Sequence, residues 1–294
     1  MTGTRRFAWD GLALHVPAHW EPARLGLGYV LLEDSSGPRL SLRWQRLRTG
    51  LGPEKVLKRL ARRTFLKPDG KPQGAVAAML SAFPGGHGAL PCADASGRGA
   101  DAVLFTLPDA GLAVLAAPHS RPDEKAAPWA EAAASVAASH PGAFSIYDVA
   151  GEAPDGFALA AFKVQLGHYH FHYRSRRGAL DYYRFAPSEV ILRGKSLEGW
   201  AGEVFVQTLG QDRVFRPGYL DSFPCAWWAS ASSGGPGQAL RALAARVFSR
   251  ARFARGMAWK PDASRILAVV ARHGGDLPPL QFEEVCRRYV VQTT

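Results

Sequence analysis

LGHYHFHYRSRRGALDYYRFA, residues 166–186, is the stretch that decides the fold, because it predicts a β-hairpin. Two runs of alternating residues flank a polar turn that contains Gly, and this period of two is typical of strands. Earlier in the chain, LGYVLLEDSSGPRLSLRWQRL (27–47) follows the same plan. Each stretch begins with Leu-Gly and ends its second run near an arginine. The chain is therefore predicted to contain the same hairpin twice.

Further pairs of matching segments lie in the same order in the two halves of the chain. They comprise a short opening motif, a helical pattern, a Pro-Cys-Ala tripeptide, a hairpin with a Pro-Asp-Ala turn and a closing helix: 10–14 and 155–159, 52–66 and 196–209, 90–96 and 223–230, 102–118 and 253–271, 124–140 and 279–291. Mixed runs of strands and helices favour an α+β class. We therefore predict two tandem α+β repeats, each an antiparallel β-sheet with helices packed on it. The first spans residues 1–148, and the second spans 149–294 with an inserted helix near 237–250.

The opening WDGLALHVPAHWE (9–21) runs from a first strand into Val-Pro and then a Trp. In this it resembles the PsbP/Mog1-like domains, and the order of elements in both halves is similar to that family. The second half departs from the pattern, reading ALAAFKVQLG where the first has ALHVPAHWE. The resemblance implies a central antiparallel sheet covered by helices. It also implies a protein that acts by binding other proteins and carries no catalytic site.

The run HYHFHY (168–173) places histidines and other aromatic residues on opposite faces of one strand, because side chains alternate along it. His168, His170 and His172 share one face, and we assign the other face to the core. One metal can be held by His168 and His170 or by His170 and His172, whereas all three on one metal is geometrically awkward. Asp181, on the facing strand, is the candidate for a further ligand. A half-exposed polar face of the sheet explains the same residues without metal.

Arginines and aromatic residues are mixed in the second half, and the net charge of the whole chain is +11. Nucleic-acid-binding sheets combine such residues, with arginine on phosphates and rings stacked on bases. Solvated surface and core aromatics explain the same pattern, and no RNA-binding or zinc-finger signature is present. The second-half sheet is therefore the candidate binding region, with these residues: His168, His170, His172, Arg174, Arg176, Tyr182, Trp227 and Trp228.

The composition points to a cytoplasmic protein of bacterial type. Three cysteines among 294 residues do not make a disulfide framework, and this count indicates a reducing compartment. Cys92 and Cys225 both follow a proline at matching positions, which favours small buried residues over a nucleophile. No secretory signal and no apolar run of roughly 18 residues is present.

These observations predict a non-catalytic binding or scaffold protein that docks to another protein through the second-repeat sheet and needs no cofactor. Two alternatives stay open at this point. One is nucleic-acid binding through the arginine-rich second half. The other is metal-dependent activity at the histidine strand, with a transition metal as the cofactor.

Overall fold

The computed structural model describes residues 3–47, 55, 66–68, 90–94, 102–107, 111–119, 128–176, 178–206, 214–229, 253–273 and 279–292. The chain divides into two compact units. The first comprises Met1–His140, Phe144–Asp148 and Thr293–Thr294, and the second comprises Pro141–Ala143 and Val149–Gln292.

The predicted fold class, α+β with two tandem repeats of a helix-covered sheet, is wrong, because the described structure is 58% strand and only 16% helix. The strands pair in antiparallel sheets. Four short helices are found in the described part of the chain: Pro128–Ala134 (α1), Ser188–Leu192 (α2), Leu197–Val204 (α3) and Pro279–Arg287 (α4). None of the helices in that part is long and apolar enough to cross a membrane.

The first unit contains a seven-stranded sheet in the order β3-β4-β5-β9-β8-β7-β6. Its strands are Glu21–Gly26 (β3), Tyr29–Asp34 (β4), Gly37–Arg46 (β5), Leu66–Pro68 (β6), Leu90–Asp94 (β7), Ala102–Leu107 (β8) and Leu112–Pro118 (β9). The hydrophobic runs of β8 and β9 are buried almost throughout, which is the pattern of central strands covered on both faces.

Four more strands of the first unit pair in the order β10-β2-β1-β11. They are Thr4–Trp9 (β1), Leu12–Pro17 (β2), Ala137–Ala138 (β10) and Ala143–Ile146 (β11). Trp9 at the end of β1 is fully buried, and its indole N–H donates to the carbonyl of Gly26 at 2.9 Å. This bond satisfies the polar end of the ring, so the large apolar area of Trp9 can stabilise the core.

The second unit contains a seven-stranded sheet in the order β13-β14-β15-β19-β18-β17-β16, so the strand order along the chain repeats that of the first unit's sheet. Its strands are Ala158–Gln165 (β13), His168–Arg174 (β14), Gly178–Phe185 (β15), Arg216–Leu220 (β16), Phe223–Ala229 (β17), Phe253–Trp259 (β18) and Ile266–His273 (β19). Within this unit, Val149–Glu152 (β12) also pairs with Val290–Val291 (β20).

Helices cover parts of both faces of this second sheet. On one face, Trp200 of α3 and the following Phe205 pack in a buried cluster with Phe185, Trp228 and Val270. The hydroxyl of Ser196 caps α3 by accepting the N–H of Gly199, and Ser is a favoured residue at this position. On the other face lies α4, with buried side chains that include Phe282 and Cys286. The helix α3 packs mainly on β17 and β18, so the β14 end of the same sheet lies next to the helix and outside the area that it covers.

The predicted helix over 124–140 shows why helical patterns overestimate the helix content. Over the described residues of this range, 128–140, α1 ends at Ala134. The hydroxyl of Ser135 after it donates to the carbonyl of Ala132 at 2.8 Å and accepts the N–H of His15 at 2.8 Å. A serine that satisfies backbone groups locally offers an alternative to further helical turns. The chain then forms β10 against β2. The predicted helix 52–66, apart from Lys55 and Leu66, and the inserted helix near 237–250 lie outside the described residues.

We expect Gly167→Ala to lower the free energy of unfolding by about 2–4 kcal/mol, since it adds backbone strain and a steric clash. Gly167 joins β13 to β14 with a φ of +79°, and a Cβ there would lie 2.5 Å from the carbonyl oxygen of Ala186. Gly156→Ala is the matched control, because its φ is +82° but no atom lies within 4 Å of an added Cβ. Urea denaturation of both variants would contradict the clash if the two losses were equal.

Candidate metal centre on the second sheet

The register of β14 against β15 sets the composition of the histidine face. Directly opposite pairs are His168 with Phe185, His170 with Tyr183 and His172 with Asp181. Directly opposite residues of an antiparallel pair project to the same side, with Cβ atoms about 4.5–5.5 Å apart. The half-buried histidines therefore lie beside Asp181, whose side chain is only 2% exposed. The other face of β14 is the core face, with these buried residues: Phe171 and Tyr173.

Asp181 is the centre of a four-residue cluster. Nε2 of His170 and Nδ1 of His172 each donate to Oδ1 of Asp181 at 2.7 Å. Because an ionised carboxylate only accepts, each of these ring nitrogens carries a hydrogen. The second carboxylate oxygen, Oδ2, accepts from Nη2 of Arg272 on β19 at 2.9 Å.

The contacts of Asp181 keep its carboxylate ionised. Burial raises the pKa of Asp181, but the hydrogen bonds from His170 and His172 and the charge of Arg272 outweigh burial and leave the pKa below its ordinary value. An ionised carboxylate accepts strong hydrogen bonds from N–H groups and can also bind a cation. The local arrangement therefore supplies one anionic oxygen atom to two imidazoles.

Aromatic stacking holds His170 in its orientation. The ring of Tyr183 lies parallel to the ring of His170, with centroids 4.4 Å apart and an interplanar angle of 5°. Phe205, just after α3, meets Tyr183 edge-on at 5.2 Å. His170 is thus held from the side by rings of the same face that belong to the helix-covered core, which restricts how far His170 can move.

His168 does not join the cluster, although it shares its strand and face. Its ring stacks on Phe185 at 4.8 Å, and burial, with the nearby His170 and Lys163, lowers its pKa. A low pKa and an apolar stacking partner suit a neutral ring in a packing role. The predicted four-residue metal set is therefore found together only as His170, His172 and Asp181, whose donor atoms all lie within 4.8 Å of one another.

The other predicted binding residues are dispersed. Arg174 and Arg176 are exposed at the β14–β15 turn, and Arg174 lies on the histidine face. Tyr182 lies on the opposite face of β15, fully buried, and donates to the carbonyl of Glu152 at 2.8 Å.

Three strands (β15, β19 and β18) separate β14 from β17, which carries the two predicted tryptophans. Trp227 is 39% exposed, with Arg216 above its ring at 6.0 Å, whereas Trp228 is in the core beside α3. The structure therefore does not unite these residues into one binding surface. Docking to a protein partner and binding to nucleic acid both stay predictions.

Sequence reasoning missed one residue of the cluster, Arg272, and did not place Tyr183 beside His170. Tyr183 was recognisable in principle, since hairpin pairing places it opposite His170. Arg272 is 91 residues from Asp181, and its position depends on the pairing of β15 with β19. Nothing in the local pattern of β19 marks that pairing, so no sequence signal was available for it.

The two cysteines that the structure describes at side-chain level, Cys225 and Cys286, lie in the core. Burial raises the pKa of Cys225 to about 11 and that of Cys286 well above its usual range. The thiolate is the form that attacks substrates, so both thiols are unsuited to a nucleophilic role at neutral pH. The side chain of Cys92 lies outside the described residues.

No protein-family model and no curated protein matches this chain. The PsbP/Mog1-like resemblance therefore stays a prediction. The class that fold and site define is a predominantly β protein with a histidine–carboxylate cluster on the open part of an antiparallel sheet. Its function has to be argued from that cluster.

Proposed function

We propose that the second unit binds a divalent first-row transition metal through His170, His172 and Asp181. The observation that carries this proposal is the convergence of two imidazole nitrogens and one carboxylate oxygen within 4.8 Å, from two adjacent strands. This donor set suits zinc, iron, cobalt, nickel or copper, whereas magnesium and calcium prefer oxygen ligands alone. The proposal takes up the alternative of a metal site on the histidine strand. It differs from the predicted ligand set in that His168 is not a ligand.

A local rearrangement of the two histidine side chains is needed to admit the ion. Metal bonds of 2.0–2.2 Å in a tetrahedral site separate ligand atoms by roughly 3.3 Å. The two present N–O distances are 2.7 Å and all three donor atoms lie within 4.8 Å of one another. Each nitrogen would have to move about half an ångström away from Oδ1, and the two nitrogens would have to approach each other to a similar separation. Each imidazole would also move its hydrogen to the other ring nitrogen or release it. Rotations of side chains that are partly exposed allow both changes.

Arg272 supports this role by orienting the carboxylate. Its bond to Oδ2 leaves Oδ1 directed at the two histidines, so that Asp181 presents one oxygen to the ion. Residues that hold metal ligands in this way raise the affinity and fix the geometry. Three protein ligands leave at least one coordination position for an exogenous ligand, which is typical of sites that bind or activate small molecules.

The test is the metal content of the full-length protein, purified without a histidine tag and loaded with one equivalent of Zn²⁺ or Co²⁺. We expect one bound ion per chain and a loss of affinity of more than about 100-fold in His170→Ala and His172→Ala, because each removes a ligand and loss of an outer-shell partner alone costs about 10- to 100-fold. His168→Gln is the matched control, since it changes a histidine of the same strand and face that does not contact Asp181. It should bind metal like the unmodified protein.

A structural ion-pair network would show the same contacts without metal. The proposal fails if the unmodified protein, after gel filtration, retains far less than one metal ion per chain. It also fails if His168→Gln and His172→Ala lose metal equally, because the ligands would then not be those of the cluster. Co²⁺ absorption provides a second readout, since its visible bands report imidazole and carboxylate ligation directly.

A further inference from the structure

The face of the second sheet around the cluster is rich in positive charge. On β13, Lys163 lies directly opposite His170, so its side chain projects to the same side. It is exposed, and its charge is near enough to His168 to lower the pKa of that ring. Lys163 thus borders the cluster on the side away from Asp181.

Arg174 borders the cluster at its other end. It follows His172 by two residues on β14 and so shares its face, about 7 Å along the strand. Its neighbour on β15 is Ala179, and Ala179 is in turn opposite Arg272 on β19. Ala179 therefore lies between the two arginines in the register of the sheet.

The charges on this face do not balance. Over β13, β14, β15 and β19, the charged residues that alternation assigns to the histidine face are one carboxylate and three cations: Asp181, Lys163, Arg174 and Arg272. Arg272 already pairs with the carboxylate. A divalent ion would add two further positive charges, so the metal-bound site would have a large net positive charge.

Access to the cluster is open. The side chains of His170 and His172 are 29% and 21% exposed. Ala161 is the residue of β13 opposite His172, and it is exposed. A ligand can therefore approach between Lys163 and Arg174 over a small residue.

We infer that the exogenous ligand of the metal is an oxyanion, the phosphate or carboxylate group of a small molecule. This inference rests on the metal site of the proposed function. One oxygen of the anion occupies the open coordination position, and the other oxygens contact the ammonium of Lys163 and the guanidinium of Arg174. Ammonium and guanidinium groups form the stronger, charge-assisted class of hydrogen bonds with such oxygens.

The experiment titrates Co²⁺-loaded protein, freed of excess metal, with inorganic phosphate and separately with acetate at constant ionic strength. We expect a saturable change in the Co²⁺ bands with at least one of the two anions, and the stronger response identifies the preferred group. Lys163→Gln and Arg174→Gln should each weaken anion affinity by roughly three- to tenfold and leave the Co²⁺ stoichiometry unchanged. Lys195→Gln is the control, because this exposed lysine lies on the loop before α3 and pairs with Glu203.

The outcomes separate the two proposals. If Co²⁺ binds but its absorption bands do not change with either anion, the oxyanion inference is overturned and the metal site remains supported. If the protein binds no Co²⁺, both the metal site and the oxyanion inference are wrong. Anion binding to the metal-free protein with the same affinity also overturns the inference, since the metal would then supply no ligand position. Equal weakening in Lys195→Gln would show a general charge effect instead of contacts from Lys163 and Arg174.

Discussion

Asp181→Ala is expected to lower the free energy of unfolding of the second unit by about 3–5 kcal/mol in metal-free protein at neutral pH. The side chain of Asp181 is 2% exposed and accepts hydrogen bonds from two imidazoles and one guanidinium. Its removal leaves Arg272 without its counter-ion and three donors without their acceptor. Loss of one partner of a buried ion pair typically costs about 3–5 kcal/mol, and the 35% exposure of Arg272 places this variant at the lower end of that range. Urea denaturation in the presence of a chelator measures the loss.

Glu203→Ala is the matched control for this variant. Glu203 also forms an ion pair, with Lys195, but both side chains are largely exposed. An exposed pair contributes only about 0–1 kcal/mol, because water already solvates the charges. Equal losses in Asp181→Ala and Glu203→Ala would mean that the cluster is solvated in solution and would remove the basis for a preformed metal site.

The free energy of unfolding should also depend on pH through the ionisation of Asp181. Because the pKa of Asp181 is lower in the folded state than in the unfolded state, the group contributes stability above its unfolded pKa of about 3.9. That contribution is lost as the pH falls through the folded pKa. The difference in stability between the unmodified protein and Asp181→Asn should therefore be constant near neutral pH and shrink below about pH 4.

The sequence predicted much of the histidine face, because alternation is a strong local signal. The assignment of Phe171 and Tyr173 to the core and of the histidines to the more exposed face agrees with their burial. Asp181 was identified from its distance beyond the turn, which is set by simple hairpin pairing. Tyr182 was placed in the binding region because it is polar and aromatic, but alternation from Asp181 assigns it to the opposite face.

The fold class was beyond the reach of local patterns. Alanine-rich and amphipathic segments have helical propensity, yet propensity is a weak prior that tertiary pairing overrides. After Tyr289 the chain pairs as β20 with β12 instead of continuing α4, because the partner strand offers hydrogen bonds and Tyr289 itself packs on Tyr182 and Trp259. Such contacts join distant parts of the chain, and no window of local sequence contains them.

Phe171→Ala is expected to lower the free energy of unfolding by about 3–5 kcal/mol, as for other buried phenylalanines. Phe171 lies between His170 and His172 on β14, is 0% exposed, and is directly opposite Tyr182 on one neighbouring strand and Phe162 on the other. The core side of β14 thus anchors the two histidines on its other side. The loss follows from the apolar area removed and the cavity left behind, and thermal or urea unfolding measures it.

Phe162→Ala is the matched control, because Phe162 shares that face but lies on the edge strand β13 and is only partly buried. We expect it to lose less than half as much stability, since a partly exposed ring has less apolar area to lose and water can fill the space. Phe171→Leu, which retains most of the buried volume, should cost less than about 1.5 kcal/mol and keep its Co²⁺ stoichiometry. If Phe171→Leu lost its metal while remaining folded, ligand positions would depend on the shape of the core side chain and not only on strand register. Equal losses in Phe171→Ala and Phe162→Ala would contradict the greater burial of Phe171 and, with it, the role of the β14 core side in anchoring the two histidines.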